Sequence, residues 1–123
     1  MLNVPLFDLR GVTDKKKLHE LSIQVINSDK HILGDNVNLF EKNFANYIGT
    51  KYCIGVANGT DALIIALRSL EVDSNSNVAC VANAGFYSST AINQIGANVI
   101  YIDVDRSSML LDIDDLVKNL KNH

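Results

Sequence analysis

A short polar turn between an apolar run and a helix is the part of this sequence best suited to bind an anion. Asn58 and Gly59 follow the apolar run, and Thr60 and Asp61 begin a segment with helical spacing. A helix start offers unpaired N–H groups and the positive end of the helix dipole, glycine lets the backbone approach a ligand closely, and Thr60 adds a hydroxyl donor. The pattern suits phosphate. It is also the pattern of an ordinary turn in which Thr60 or Asp61 caps the helix, and on pattern alone that second interpretation is favoured.

Common phosphate-loop motifs do not decide between these interpretations. Residues 55–59 do not fit the glycine pattern of the dinucleotide-binding loop, and residues 49–51 lack the upstream glycine of the nucleoside triphosphate loop. The turn has to be judged by its own chemistry.

Two carboxylates at the end of a later apolar run form a second candidate site. Asp103 and Asp105 fall on the same side of an extended chain, as in glycosyltransferases that hold a metal and a nucleotide sugar. Aspartate also commonly closes a strand, so solvated turn carboxylates are the simpler interpretation. The remaining candidate ligands are scattered and lack metal spacing, namely His19, His31, His123, Cys53 and Cys80. We interpret both cysteines as small buried hydrophobic residues.

Hydrophobic spacing predicts the elements that position these residues. Two amphipathic helices are expected within residues 13–48, the first capped by Thr13 or Asp14 and the second ended by Gly49. After them, short apolar runs alternate with helices. The predicted strands are residues 52–57, 78–82 and 98–104, and the predicted helices are residues 60–70, 88–95 and 112–122.

Strands of near-continuous apolar character separated by helices indicate an α/β fold with a mainly parallel sheet and helices on its faces. The hydrophobic content of 47% is enough to bury a core. We see no internal boundary, so residues 1–123 are expected to form a single partial domain, with helices in 13–48 and strand–helix units in 51–122. An alternation that stops after a helix leaves sheet edges unpaired, so a continuation is expected.

Several segments, in order and spacing, resemble the DegT/DnrJ/EryC1/StrS family of sugar aminotransferases. The turn at residues 58–63 is similar to the family's asparagine-glycine-threonine-aspartate-alanine-leucine signature. Residues 4–9 look like its opening, residues 32–49 like its entry into the second helix, and residues 96–105 followed by 111–112 like its third strand and next helix. The resemblance covers nearly the whole chain.

The resemblance implies the N-terminal part of a fold-type-I transferase that uses pyridoxal 5'-phosphate. Gly59 and Thr60 would hold the cofactor phosphate, Asp61 would shape the helix start, and Asn58 would support the turn. An aromatic ring would stack on the cofactor, and Phe86 or Tyr87 could supply it, although ordinary core packing is an equal alternative for both. The segment around these rings departs from the family's commoner pattern, which has an early proline and a threonine beside the aromatic residue.

The implied reaction moves an amino group, usually from glutamate, to a nucleotide-linked keto sugar, for polysaccharide or other glycoconjugate synthesis. The Schiff-base lysine and the aspartate that pairs with the pyridine nitrogen would both lie beyond His123, so no catalytic residue is assigned and the chain alone is expected to be inactive. The family works as a homodimer with active sites at the subunit boundary, near residues 31–35. A minority of its members are dehydratases.

Two other functions stay open on the sequence, a non-catalytic interaction remnant and a small phosphate or nucleotide binder. The net charge of −3 gives no field that favours nucleic acid or an anionic membrane. No apolar run reaches the length of a membrane span and no signal-peptide pattern is present, so the cytoplasm is the expected location.

Overall fold

The computed structural model describes residues 14–121, which fall into two compact units divided between Gly55 and Val56. The resemblance at residues 4–9, the possible cap at Thr13 and the histidine at position 123 lie outside the described residues. Unit 1 contains helices α1 (Lys15–Ile26) and α2 (Asp35–Ile48). Unit 2 contains α3 (Gly59–Ser69), β1 (Asn77–Val81), α4 (Tyr87–Gln94), β2 (Asn98–Ile102) and α5 (Ile113–Leu120).

Caps fix the ends of the two helices of unit 1. The Asp14 carboxylate accepts hydrogen bonds from the backbone N–H groups of Lys16 and Lys17, both at 3.1 Å, so α1 begins where predicted. The helix α2 ends at Gly49, whose φ of 81° is left-handed and whose N–H donates to the carbonyl of Ala45 at 2.9 Å. The predicted stop at Gly49 is confirmed, because glycine adopts this conformation without a steric penalty.

The predicted strand over residues 52–57 is wrong for this structure. Residues 52–56 have no regular secondary structure, and the described sheet contains only β1 and β2. The N–H of Gly55 instead donates to Glu41 Oε1 at 2.7 Å. An apolar run becomes a strand only when a neighbouring strand takes up its backbone hydrogen bonds, and none of the described residues does so here.

The sheet of unit 2 is parallel, as predicted. The strands β1 and β2 pair in register from Asn77 opposite Asn98 to Val81 opposite Ile102, and α4 forms the crossover between them. The α/β fold class with parallel strands is therefore confirmed. The strand β1 is as long as predicted but begins one residue earlier, whereas β2 is two residues shorter than predicted. Val104 forms only an isolated antiparallel bridge to Leu111.

Apolar residues on both sides of this sheet make the core of unit 2. On one side, Cys80, Ile92 and Ala97 are buried together, and partly buried apolar residues surround them, namely Leu67, Val72, Val78, Ile95 and Val99. Ile102 is completely buried, and α5 packs against its strand. The position of Cys80 confirms that it is a small buried hydrophobic residue, whereas Cys53 is only half-buried, and both thiols are free.

Within residues 14–121, none of the helices is both long enough and apolar enough to cross a lipid bilayer. The same residues contain no cluster of three or more histidine, cysteine, aspartate or glutamate side chains that could hold a metal ion.

Candidate phosphate-binding site

The turn before α3 is built by two side chains that bond to each other. Asn58 is the residue before the helix and is fully extended, with φ −161° and ψ 175°. Its Oδ1 accepts a hydrogen bond from the backbone N–H of Asp61, and its Nδ2 donates to Asp61 Oδ2, both at 2.9 Å. The cap is therefore Asn58, and the expectation that Thr60 or Asp61 might cap the helix is wrong. Asparagine is the better cap than threonine or aspartate here because it carries both an acceptor and a donor at the position where the chain enters the helix.

This arrangement leaves two backbone donors at the helix start without an acceptor. The Asp61 N–H is taken by Asn58, and the Ala62 N–H donates to the Asn58 carbonyl at 3.1 Å. Among the described residues, nothing accepts a hydrogen bond from the N–H of Gly59 or of Thr60. Both groups lie at the positive end of the α3 dipole, where an anion is stabilised.

The surface over these donors is open. A Cβ built on Gly59 would meet no atom within 4 Å, so packing within the protein does not require glycine at this position. Thr60 is half-buried, and its hydroxyl makes no hydrogen bond within residues 14–121. An anion placed over Gly59 could therefore receive two N–H bonds and one O–H bond.

The Asp61 carboxylate limits which anions suit the site. It is half-buried and held by Asn58 Nδ2 at 2.9 Å, so it contributes a fixed negative charge beside the two free N–H groups. A negative charge in the first turn stabilises the helix dipole, and it also repels a second anion. A phosphate is therefore expected to approach over Gly59 rather than over the Asp61 carboxylate.

Removal of the cap should cost stability. Replacing Asn58 with alanine is expected to lower the free energy of unfolding by about 1 kcal/mol, because the Asp61 N–H then loses its acceptor. Replacement with serine, which keeps an acceptor oxygen, should cost only a few tenths of that amount. Urea denaturation of the three proteins measures the difference, and equal stabilities would show that the side chain does not act as a cap.

Phe86 and Tyr87 lie at the start of α4, where β1 leads into the helix. Phe86 is the residue before the helix and has a left-handed φ of 63°, and Tyr87 is the first helical residue. Both rings are largely exposed, at 71% and 68% respectively. Neither ring is therefore buried in the core formed by the described residues.

The ring of Tyr87 packs against the backbone of Gly85. A Cβ built on Gly85 would lie 2.9 Å from Tyr87 Cε2, so the tyrosine ring lies directly against the glycine backbone. The Phe86 carbonyl accepts bonds from the Thr90 N–H at 2.8 Å and the Ser89 hydroxyl at 3.1 Å, which fixes the turn. Helices α3 and α4 pack against each other, so the phosphate-binding turn and the aromatic pair belong to one compact unit.

Asp103 and Asp105 form backbone turns, as the simpler interpretation predicts. Asp103 Oδ1 accepts from the Val104 N–H at 2.7 Å. Asp105 Oδ1 accepts from the Ser107 hydroxyl at 2.5 Å and from the Ser108 N–H at 2.8 Å. These donors, the Ser107 hydroxyl first, lower the pKa of Asp105 from 3.8 to about 2.

The lowered pKa of Asp105 has a measurable consequence. Because the folded-state pKa lies below the unfolded value, the turn stabilises the protein above pH 3.8, and this contribution is lost as the pH falls through about 2. We expect the Asp105 carboxyl resonance to titrate with a midpoint near 2 in an NMR pH series. A midpoint close to 3.8 would show that the serine donors are not engaged in solution.

Some of the contacts that shape the site are not signalled by a single residue type. The spacing of Asn58 and Asp61 is close to a capping-box pattern and could have revealed the reciprocal bonds. Gly85 precedes two aromatic residues, yet its close contact with Tyr87 is visible only in three dimensions.

Comparisons with known proteins agree on one family. Residues 12–122 match the DegT/DnrJ/EryC1/StrS aminotransferase family. The chain is 35% identical over 111 residues to the dTDP-3-amino-3,6-dideoxy-alpha-D-galactopyranose transaminase of Aneurinibacillus thermoaerophilus, an alignment that covers 89% of this chain and 31% of the relative. It is 29% identical over 122 residues to the GDP-4-keto-6-deoxy-D-mannose 3-dehydratase of Yersinia pseudotuberculosis, covering 94% and 30% respectively.

Among solved structures, a DegT DnrJ EryC1 StrS aminotransferase from Brucella abortus is similar with a TM-score of 0.87 at 25% identity, over 98% of this chain and 34% of that one. The chain spans about a third of the length of the curated relatives that it matches.

Proposed function

The chain belongs to the DegT/DnrJ/EryC1/StrS aminotransferase family, and from that membership we propose that it is the cofactor-phosphate-binding part of a nucleotide-sugar aminotransferase. Pyridoxal phosphate is the cofactor of this family. One observation carries the proposal, namely the two N–H groups at the start of α3 that have no acceptor within residues 14–121 and that lie under open space at Gly59.

The residues of the turn fit the phosphate of this cofactor. Gly59 and Thr60 offer backbone N–H donors, Thr60 adds its hydroxyl, and the helix dipole adds a favourable field. Asn58 sets the direction of the turn, and Asp61 locks Asn58 in place. When bound, pyridoxal phosphate supplies an electron-accepting ring that carries the amino group. These four residues of the chain hold and orient the phosphate.

We assign the stacking ring to Tyr87. Its ring packs against the backbone of Gly85, and most of its surface is open. The ring of Phe86 is equally open, and it belongs to the residue before the helix rather than to the helix itself. A preformed aromatic face is worth about 0.5–1.5 kcal/mol to a stacked partner.

The stacking assignment is tested by replacing each ring with leucine. Tyr87→Leu is expected to weaken pyridoxal phosphate binding about five- to tenfold, through the loss of about 1 kcal/mol of stacking. Phe86→Leu is the matched control and should change the affinity less than twofold. Titration followed by cofactor absorbance measures both variants, and the reverse order of effects would move the assignment to Phe86.

The turn accounts for binding of the cofactor phosphate, and the reaction itself needs a donor and an acceptor of the amino group. We propose that an amino acid, glutamate in the first instance, donates the amino group and that a nucleotide-linked keto sugar accepts it, within a homodimer. The transaminase name of the Aneurinibacillus relative supports this substrate class. The two free thiols agree with a reducing compartment such as the cytoplasm. No lysine of this chain stands in a segment that matches the family's Schiff-base lysine, so we propose that these 123 residues alone do not catalyse transamination.

A dehydratase of the same family is the second candidate, and the similarity to the Yersinia enzyme supports it. Both reactions would use the same phosphate-binding turn. The described residues therefore favour neither, and the choice depends on which product forms from a keto sugar nucleotide in the complete enzyme.

The proposed function is tested by an NMR titration of the 123-residue chain. Pyridoxal phosphate and inorganic phosphate should both shift the amide resonances of Gly59 and Thr60. Pyridoxal, which lacks the phosphate, controls for reaction of the aldehyde with surface lysines and should leave these two amides unchanged. Shifts caused by nucleotides and not by pyridoxal phosphate would favour a small nucleotide binder, and the absence of any phosphate-dependent shift would contradict the proposal.

A further inference from the structure

Gly85 occupies a backbone position that does not itself require glycine. It is the middle residue of a three-residue turn, which the Phe86 N–H closes by donating to the Ala84 carbonyl at 2.9 Å. The φ of Gly85 is not positive, in contrast to the φ of 85° at Gly96. The common form of such a turn has a negative φ at its middle residue, which any L-amino acid can adopt. Backbone conformation alone therefore gives no reason for glycine at position 85.

The ring of Tyr87 does give a reason. A Cβ built on Gly85 would lie 2.9 Å from Tyr87 Cε2 and 3.3 Å from Tyr87 Cδ2. Carbon atoms in favourable contact are about 3.5–4.0 Å apart, so this ring and a side chain at position 85 would overlap. The missing side chain leaves room for the Cδ2–Cε2 side of the ring, and the residue is still 68% exposed. Glycine at this position therefore permits the observed place of the ring.

Two hydrogen bonds hold the backbone that connects Gly85 to Tyr87. Phe86 lies between them and has a left-handed φ of 63°, which is unfavourable for a residue with a side chain. Its carbonyl accepts from the Thr90 N–H at 2.8 Å and from the Ser89 hydroxyl at 3.1 Å. Ser89 is only 4% exposed, so its hydroxyl has little access to water. Both bonds stabilise the turn that brings positions 85 and 87 together.

From these contacts we infer that Gly85 is a positioning residue for the ring of Tyr87. Because it has no side chain, one side of the ring lies on the backbone and the remainder stays open to a stacked cofactor. The inference rests on the proposed function, because it concerns the ring that we assign to stacking. It assigns Gly85 no contact with the ligand, and both residues lie in unit 2.

A purely structural role for Gly85 predicts a different result. If glycine served only the turn, Gly85→Ala would lower the melting temperature and would weaken the binding of pyridoxal phosphate and inorganic phosphate alike. If glycine makes room for the ring, alanine displaces the ring and leaves the backbone in place. The melting temperature should then equal or slightly exceed that of the wild type, because alanine restricts the unfolded chain. The loss of affinity should be confined to the ligand that has a ring.

The experiment is an NMR titration of the 123-residue chain with pyridoxal phosphate and, separately, inorganic phosphate, read at the Gly59 and Thr60 amides. Gly85→Ala is expected to weaken pyridoxal phosphate binding about fivefold and to change the affinity for inorganic phosphate less than about twofold. The Tyr87 ring resonances should also shift before any ligand is added. Gln94→Ala, an exposed change at the other end of α4, is the control and should bind both ligands like the wild type.

A double-mutant cycle measures whether Gly85 acts through the ring. In Tyr87→Leu, which has no ring to displace, the addition of Gly85→Ala should change pyridoxal phosphate affinity less than about twofold. A full further loss in that background would overturn the inference, because the new methyl group would then disturb the ligand directly. If Gly85→Ala alone fails to fold, a folded double variant supports the competition between methyl group and ring. Unfolding of both variants would overturn it.

The remaining outcomes separate this inference from the proposed function. Unchanged pyridoxal phosphate affinity or unshifted Tyr87 ring resonances in folded Gly85→Ala would overturn the inference and leave the proposed function standing. Equal losses for the two ligands would overturn it as well, because the substitution would then have reached the phosphate-binding turn. No phosphate-dependent shift in the wild type would overturn the proposed function and this inference with it.

Discussion

Replacing Gly59 with proline is expected to weaken the binding of pyridoxal phosphate about a hundredfold while the fold stays unchanged. Proline has no N–H, so one of the two free donors at the start of α3 is removed. A hydrogen bond to a charged group contributes about 1.5–3 kcal/mol, and the ring also occupies the space over the turn. Isothermal titration with pyridoxal phosphate measures the loss.

The fold should tolerate this proline for three reasons. Gly59 is the first residue of α3, the helical position that proline favours. Asn58 is extended with ψ 175°, the conformation that a residue before proline prefers. A Cβ at position 59 meets no atom within 4 Å. Far-ultraviolet circular dichroism and the melting temperature should therefore match those of the wild type.

Gly59→Ala separates the two effects of the proline. It keeps the N–H and adds a methyl group in open space, so the protein should be as stable as the wild type or slightly more stable. Any loss of affinity then reports only crowding of the ligand. Unchanged affinity in the proline variant would show that the phosphate binds elsewhere. Unfolding of that variant would show that the fold requires glycine at position 59.

Replacing Ile102 with alanine is expected to lower the free energy of unfolding of unit 2 by about 3–4 kcal/mol. Ile102 is completely buried at the end of β2, and the substitution leaves a cavity as well as a loss of apolar contact. This is a large fraction of the 5–15 kcal/mol that typical domains possess. Urea denaturation followed by circular dichroism gives the value.

Ile113→Ala is the matched control for this core substitution. Ile113 is the first residue of α5 and is 64% exposed, so the same change should cost less than about 1 kcal/mol. Similar losses in the two variants would show that β2 is not the centre of a cooperative core.

The parts of the fold that depend on local chemistry could be predicted from the sequence. Gly49 ends α2 because glycine adopts a left-handed φ easily, and Asp112 caps α5 because its carboxylate accepts from the N–H groups of Asp114 and Asp115 at 2.8 and 3.1 Å. The parallel pairing of β1 with β2 could be predicted because both strands are apolar and a helix separates them. Each of these features is determined by residues a few positions apart.

Features that depend on distant partners were missed. The apolar residues from Tyr52 to Val56 look like a strand, but pairing requires a neighbour that no local pattern specifies. The bond between Gly55 and Glu41 has the same origin. The turn and the helix start at the candidate site could be predicted, whereas the identity of the cap could not, because side-chain geometry decides among Asn58, Thr60 and Asp61.

The reciprocal bonds between Asn58 and Asp61 also bear on the kinetics of ligand capture. Because the two side chains already satisfy each other, the free N–H groups point outward before any anion arrives. Association then needs no prior rearrangement of the turn, and little conformational entropy is lost at the moment of capture. The observed rate should therefore rise in proportion to phosphate concentration without a plateau, and the lifetime of the complex should govern its affinity.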